Sequence, residues 1–396
     1  MANSSHFFSR LAVLAALFVC FHLIIPAQSA TASLKNLLRS EAGFQDSDFA
    51  ALEKGETVIR SLKSEEKREV SICGVIKLQN MPEISLPVLV EKLSQRTNKT
   101  VMKWGVFGNP PVTDDLQTLE LEDKDLDAMK KCEVGDCDLK MSADMIRRLQ
   151  NEIDWNAPDH RAKAMQLYRQ MLNEYVGDYL RRGDKALLQY DNRKTPVRMA
   201  DDHRMLLDGA LFLDEISPEF GKYLRQFPVF KLSGVENTID WTKVDFGLKP
   251  VLTITHTVSF SFPDNNVTQF LIATKGIYAS RYVDSSLALI MLVRESAGDA
   301  TNAYLVFTNI SRSSSLAGLL SGLKRSIVSS ESEGKVKDML VESKAKLLQS
   351  VKAPSMPSTS SESSGLSRFG LKPVMILVLV LIAGMAAFLL FRRWRR

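Results

Sequence analysis

Three histidines lie between the apolar ends of the 396-residue chain: His160, His203 and His256. His160 and His203 fall near predicted helix starts and are expected at the surface. His256 shares one face of a predicted strand with Ile254, Val258 and Phe260. Two readings of it stand. A lone histidine among apolar neighbours is commonly a core residue with both ring nitrogens hydrogen-bonded. The alternative is a polar contact in a ligand cavity, where few polar groups sit among many apolar ones. Arg281 poses the same choice, because it alternates with Ile277, Ala279 and Val283. On an interior face it needs a buried acid or an anionic headgroup; on an exterior face it is ordinary surface. The candidate ligand-binding set is therefore Ile254, His256, Val258, Phe260 and Arg281.

Of the four cysteines, Cys132 and Cys137 bracket a short loop in which Gly135 allows a turn. They form a candidate local disulfide, with two free thiols as the alternative. Cys73 sits in a predicted strand as a small hydrophobe; pairing it with His256 would give a nucleophile and a base. The acidic stretch Asp114–Lys131 lacks the central glycine and final glutamate of a calcium loop, so it is expected to be a solvated surface. No zinc spacing, haem motif, P-loop, Gly-x-Ser-x-Gly elbow or His-Glu-x-x-His occurs. No catalytic residue, metal or cofactor is assigned. Asn98, Asn266 and Asn309 head Asn-x-Ser/Thr triplets, which matter only in a eukaryotic secretory pathway.

The elements that must position these residues change character along the chain. Ser33–Lys67 reads as helical, Val70–Leu78 as a strand, Ile84–Leu93 as a short helix and Val101–Phe107 as a second strand. From Ser142 to Phe227 the pattern is helical. Its strongest segment is Ala157–Arg182, with Tyr168, Met171, Leu172, Tyr175, Val176 and Tyr179 at three- and four-residue spacing. Strands return after Pro228: Val229–Lys231, Thr238–Phe246, Val251–Phe262, Gln269–Lys275, Ile277–Asp284, Leu287–Arg294 and Ala303–Asn309. Val251–Phe262 alternates apolar residues with threonine and serine, the mark of a sheet with one face buried. A last helix from Leu316 is interrupted at Ser329–Gly334.

Both ends are specialised. Arg10, an apolar run and small residues up to Ala32 predict an export signal over residues 1–32. Residues 351–373 are rich in serine and proline and read as a tether. Val374–Phe391 is apolar throughout and about 27 Å long as a helix, enough for a bilayer core of about 30 Å. The arginine-rich tail 392–396 then predicts one membrane pass with the tail cytoplasmic and the domain outside, periplasmic in a bacterium. Net charge is +5, but five of the 51 basic residues lie in the two ends, so the middle balances its 46 acidic residues. Nothing in that balance points to nucleic acid.

Gly74-Val-Ile-Lys-Leu78 with Pro82, the helix Ile84–Leu93 and the passage Ala303–Ser326 resemble the START-like, helix-grip superfamily. The chain as a whole is similar to uncharacterised exported bacterial membrane proteins. The resemblance implies an α+β fold over residues 69–350, in which a curved antiparallel sheet wraps a closing C-terminal helix. A helical insertion at 142–227 would interrupt it, and residues 33–68 would form a helical lead-in. It also implies a hydrophobic or lipid-like ligand in an internal cavity, held near the membrane. The competing expectation is a ligand-free envelope scaffold that docks proteins on the helical insertion.

Overall fold

Ser285-Ser-Leu-Ala-Leu-Ile-Met-Leu-Val-Arg294 has no polar alternation, and a strand of that kind needs cover on both faces. The computed structural model supplies it. The model describes residues 30–94, 101–245, 249–262, 269–294, 302–318 and 321–349. Most of the expected export signal (1–29), the tether 351–373, the apolar run 374–391 and the tail 392–396 lie outside the described residues. Among the described residues no helix is long and apolar enough to cross a membrane.

Helices α1 (Ala30–Ala42) and α2 (Asp46–Glu53) precede β1 (Thr57–Leu62) and β2 (Glu69–Leu78). Helix α3 (Leu86–Ser94) leads to β3 (Val101–Val106). A helical excursion follows, with α4 (Asp123–Lys130), α5 (Ala143–Glu152) and α6 (His160–Arg182). It continues through the short ladder of β4 (Gln189–Tyr190) and β5 (Val197–Arg198) to α7 (Met199–Asp208), α8 (Leu213–Ile216) and α9 (Pro218–Gln226). Then come β6 (Val235–Val244), β7 (Val251–Phe262), β8 (Gln269–Ala279), β9 (Ser285–Arg294), β10 (Ala303–Arg312) and α10 (Ser321–Gln349).

The fold is α+β. Eight strands form one antiparallel sheet in the order β1-β2-β10-β9-β8-β7-β6-β3. Strands β3 and β6 pair with each other, so residues 107–234 leave and re-enter the sheet at neighbouring positions. The excursion is thus wider than the expected 142–227. It folds back over one face, where α4–α6 cover β6–β8 and α1, α2 and α7–α9 cover β2 and β7–β10. The opposite face packs on α3 and α10.

Local chemistry sets these helices. Ser142 and Ser217 cap α5 and α9 by accepting from Met145 N and Phe220 N, each at 3.2 Å, and Pro218 occupies the first turn of α9. Gly183 ends α6 at φ 60°, where a Cβ would lie 1.8 Å from Phe227 O. Gly74 lets α10 close on β2, since a Cβ there would meet Val336 and Leu340 at 2.8 and 2.9 Å.

Three expectations are corrected. Residues 33–68 are not wholly helical, because Thr57–Leu62 pairs with Ser71–Ile76 as an edge strand. Helix α10 runs unbroken through 329–334: Val328, Ser332, Val336, Leu340, Ser343 and Leu347 make one buried stripe. The small Ser332 fits that stripe, its hydroxyl donating to Val328 O at 2.6 Å. Strand β8 passes through Gly276 without a break and ends at Ala279.

Candidate functional site

Strand β7 carries His256 into the layer under α6 and α9. Nε2 donates to Asn237 Oδ1 at 2.8 Å, and Tyr179 Oη donates to Nδ1 at 2.9 Å. Tyr223 donates to the same Asn237 oxygen at 3.0 Å, and the Phe227 ring lies 4.5 Å away, centroid to centroid. Both ring nitrogens are therefore satisfied by protein, in one tautomer of the neutral ring. Burial, aided by the nearby Lys275 charge, pushes the imidazole down to about 3. Ile254 packs among the α6 side chains; Val258 and Phe260 pack toward α7–α9, where Phe260 stacks on Phe220 at 5.7 Å.

Arg281 is interior, and its partner is a protein acid. Nη2 meets Asp125 Oδ1 at 2.7 Å, both side chains 4% exposed, and Nη1 donates to Pro250 O at 3.3 Å. Asp125 is the exception in its acidic stretch: Asp114, Glu120, Asp123 and Asp127 are exposed as expected, while Asp125 is buried with Leu116, Leu119, Leu126 and Met129. His203 is also corrected. It is fully buried, its Nε2 donates to Gly276 O at 2.9 Å, and burial lowers its pKa to about 4. His160 is half-buried, with Nδ1 donating to Ala157 O at 2.7 Å.

Cys132 and Cys137 are joined, with Cα atoms 4.5 Å apart. Cys73 is a free, fully buried thiol that burial pushes up to about 12. It lies on β2, and His256 on β7 is four strands away, about 19 Å at ordinary strand spacing. The two cannot act as a nucleophile–base pair.

The sheet face toward α3 and α10 has a different composition. Across it, register aligns Asp240, Thr255, Gly276, Ser286 and Ser311 in one row. The next row holds Thr257, Thr274, Ala288 and Asn309. Beyond these the face becomes apolar on β8–β10, with Ile272, Ile290 and Phe307, then Phe270, Leu292 and Leu305, while β7 adds Ser259 and Ser261 to the same rows. Polar end to apolar end covers six residues of strand, about 20 Å. α10 makes its closest approach over β1 and β2, and α3 borders the middle strands.

Among the described residues, several polar groups on this face have no partner. Asp240 Oδ1, Thr242 Oγ1 and both polar atoms of the Asn309 amide are unbonded, on side chains 2%, 1% and 2% exposed. Burial drives the Asp240 carboxyl well above the usual carboxylate range, which favours the neutral acid. Such a group both donates and accepts. Asn309 is closed to glycosylation by its burial. The signal that sequence reading missed is a strand face whose polar residues are all hydroxyls: Thr253, Thr255, Thr257 and Ser259 include no charge. Asp240 continues that face on the neighbouring strand.

Compared with known families, curated proteins and solved structures, the chain matches none.

Proposed function

We propose that the chain is an exported, membrane-tethered protein that holds an amphiphilic, lipid-like ligand against the α3/α10 face of its sheet. In this reading the arrangement is helix-grip-like. The apolar part of the ligand lies over Phe270, Ile272, Ile290 and Phe307, and its polar end meets the hydroxyl rows beside Asp240. The carrying observation is the set of unpartnered buried groups at Asp240 and Asn309, next to an apolar floor. Leaving such groups unbonded costs about 1–3 kcal/mol each, which a ligand's polar end recovers. The set built on His256 lies on the opposite face and is committed to protein contacts.

The scaffold alternative has less support. The α6 stripe it would use (Tyr168, Met171, Leu172, Tyr175, Val176 and Tyr179) is buried within the domain.

Native mass spectrometry of the full chain, released from a neutral detergent, tests the reading. Retained lipid is expected from the wild type. Asp240→Val is expected to lose it or change its identity, with the melting temperature unchanged or raised. A lipid-free wild type, or a profile indifferent to both Asp240→Val and Asn309→Val, refutes the proposal.

A further inference from the structure

A second site lies outside that face. A cleft of about 950 Å³ opens where the loop before β2 and the turn after β10 meet the start of α7. Its walls include Arg68, Arg193, Lys194, Arg198, Asp201 and Asp202. The volume falls in the range of small-molecule sites, about 300–1,000 Å³.

The charges in this cleft do not cancel. Asp202 is spent on the cleft floor, accepting from Arg68 at 2.8 and 3.1 Å and from Arg312 at 3.1 Å. Asp201 pairs with Arg204 at 3.2 Å. Arg193, Lys194 and Arg198 engage no carboxylate among the described residues; Arg198 donates only to the Gln189 amide oxygen, at 3.2 Å. Three uncompensated cations thus stand within six residues of one loop.

That loop is firmly mounted. Gly135 N donates to Asp191 O at 2.7 Å and Cys137 N to Asn192 O at 3.0 Å, so the disulfide loop braces its base. The Asp191 carboxylate accepts from Ala143 N at 2.8 Å, fixing the loop to α5 as well. A loop whose backbone is fixed before binding loses less freedom when a ligand arrives.

We propose that this cleft binds a phosphate-bearing ligand through Arg193, Lys194 and Arg198. One carboxylate could not balance three cations, whereas a phosphate monoester carries about two charges and three acceptor oxygens. Arginine forks suit it in bidentate geometry, and lysine adds a point charge. The remaining volume, flanked by Val197 and Met205, leaves room for an organic portion. The phosphate could belong to a soluble molecule or to a lipid headgroup, and both share this chemistry.

The full chain in neutral detergent is titrated with inorganic pyrophosphate by calorimetry. In parallel, it is reconstituted and its cleft loop probed by hydrogen exchange in phosphatidylcholine vesicles with and without phosphatidic acid, a lipid phosphate monoester. Saturable 1:1 pyrophosphate binding identifies a soluble phosphate. Protection of residues 191–198 by phosphatidic acid alone identifies a headgroup. In either case Arg193→Gln/Lys194→Gln is expected to weaken the effect at least about tenfold, since these are charge-assisted bonds. These side chains are exposed, so an unchanged melting temperature is expected. The remote pair Lys54→Gln/Lys124→Gln removes the same charge elsewhere and is expected to change nothing. No response to either probe, an unaltered response in Arg193→Gln/Lys194→Gln, or an equal loss in the remote pair overturns the proposal.

Discussion

Tyr179 and His256 face each other edge-on, ring centroids 5.5 Å apart, with the phenol O–H donating to Nδ1. The pair ties α6 to the middle of β7. His256→Leu strands the Tyr179 hydroxyl and leaves the Asn237 amide oxygen only its bond from Tyr223, and is expected to cost about 1–3 kcal/mol. Tyr179→Phe should cost less once His256 is already leucine. Chemical denaturation of the two single variants and the double variant checks this coupling, and additive losses would count against it.

Acid sensitivity follows from the same burial. His256 and His203 have pKa values lowered to about 3 and about 4, against about 6.5 for an unfolded histidine. The unfolded chain therefore takes up protons that the native chain refuses. Their contribution is fully present above about pH 6.5 and is lost as pH falls toward 4 and 3. Denaturation midpoints measured from pH 7 to 4.5 should fall, and His256→Leu should make the slope shallower.

The seat of α10 on β2 is equally testable. Gly74→Ala drives a methyl into Ile59, Val336 and Leu340, each within 2.9 Å of the new atom. Overpacking of this kind costs about 1–3 kcal/mol. Leu340→Ala in the same chain makes room and should recover part of the loss, which thermal melts of the two chains would read.

Arg281 and Asp125 form a buried pair, and removing one member leaves the other charged and unpaired. Arg281→Met is expected to cost about 3–5 kcal/mol, and Arg281→Met/Asp125→Leu much less. Equal losses in the single and double variants would mean the pair is not coupled.

Cys73 should resist alkylation in the native protein, because its thiol is buried and its pKa is raised to about 12. Peptide mapping after iodoacetamide, with and without denaturant, gives the comparison.

Strand positions from β6 to β10 follow from turn residues and apolar content, and the sequence reading finds all five, although it splits β8 in two and adds a strand at Val229–Lys231 that does not form. It misplaces the sides. Val251–Phe262 reads as half-buried because its second face is polar, yet both faces are covered, one by the excursion and one by α3 and α10. Burial of a hydroxyl face leaves no mark in hydropathy. The α10 stripe fails to register for a related reason, since Ser332 and Ser343 occupy core positions through their small size. Asp125 reads as a surface charge and Asp202 carries no signal, because their partners Arg281, Arg68 and Arg312 are more than 100 residues away and only the fold brings them together.

Strand β2 pairs along its whole length with β10, so Ile76 meets Leu305 across the sheet. A chain emerging from a ribosome or a translocation pore delivers β1 and β2 first and their main partner after nearly all the rest. A lone two-stranded hairpin is marginal in water. The N-terminal part therefore stays threadable until β10 is released, and closure of the sheet is a late, all-or-none event tied to the last hundred residues. Stop codons or stalls placed before Ala303 should leave a protease-sensitive chain however many of the earlier strands are complete.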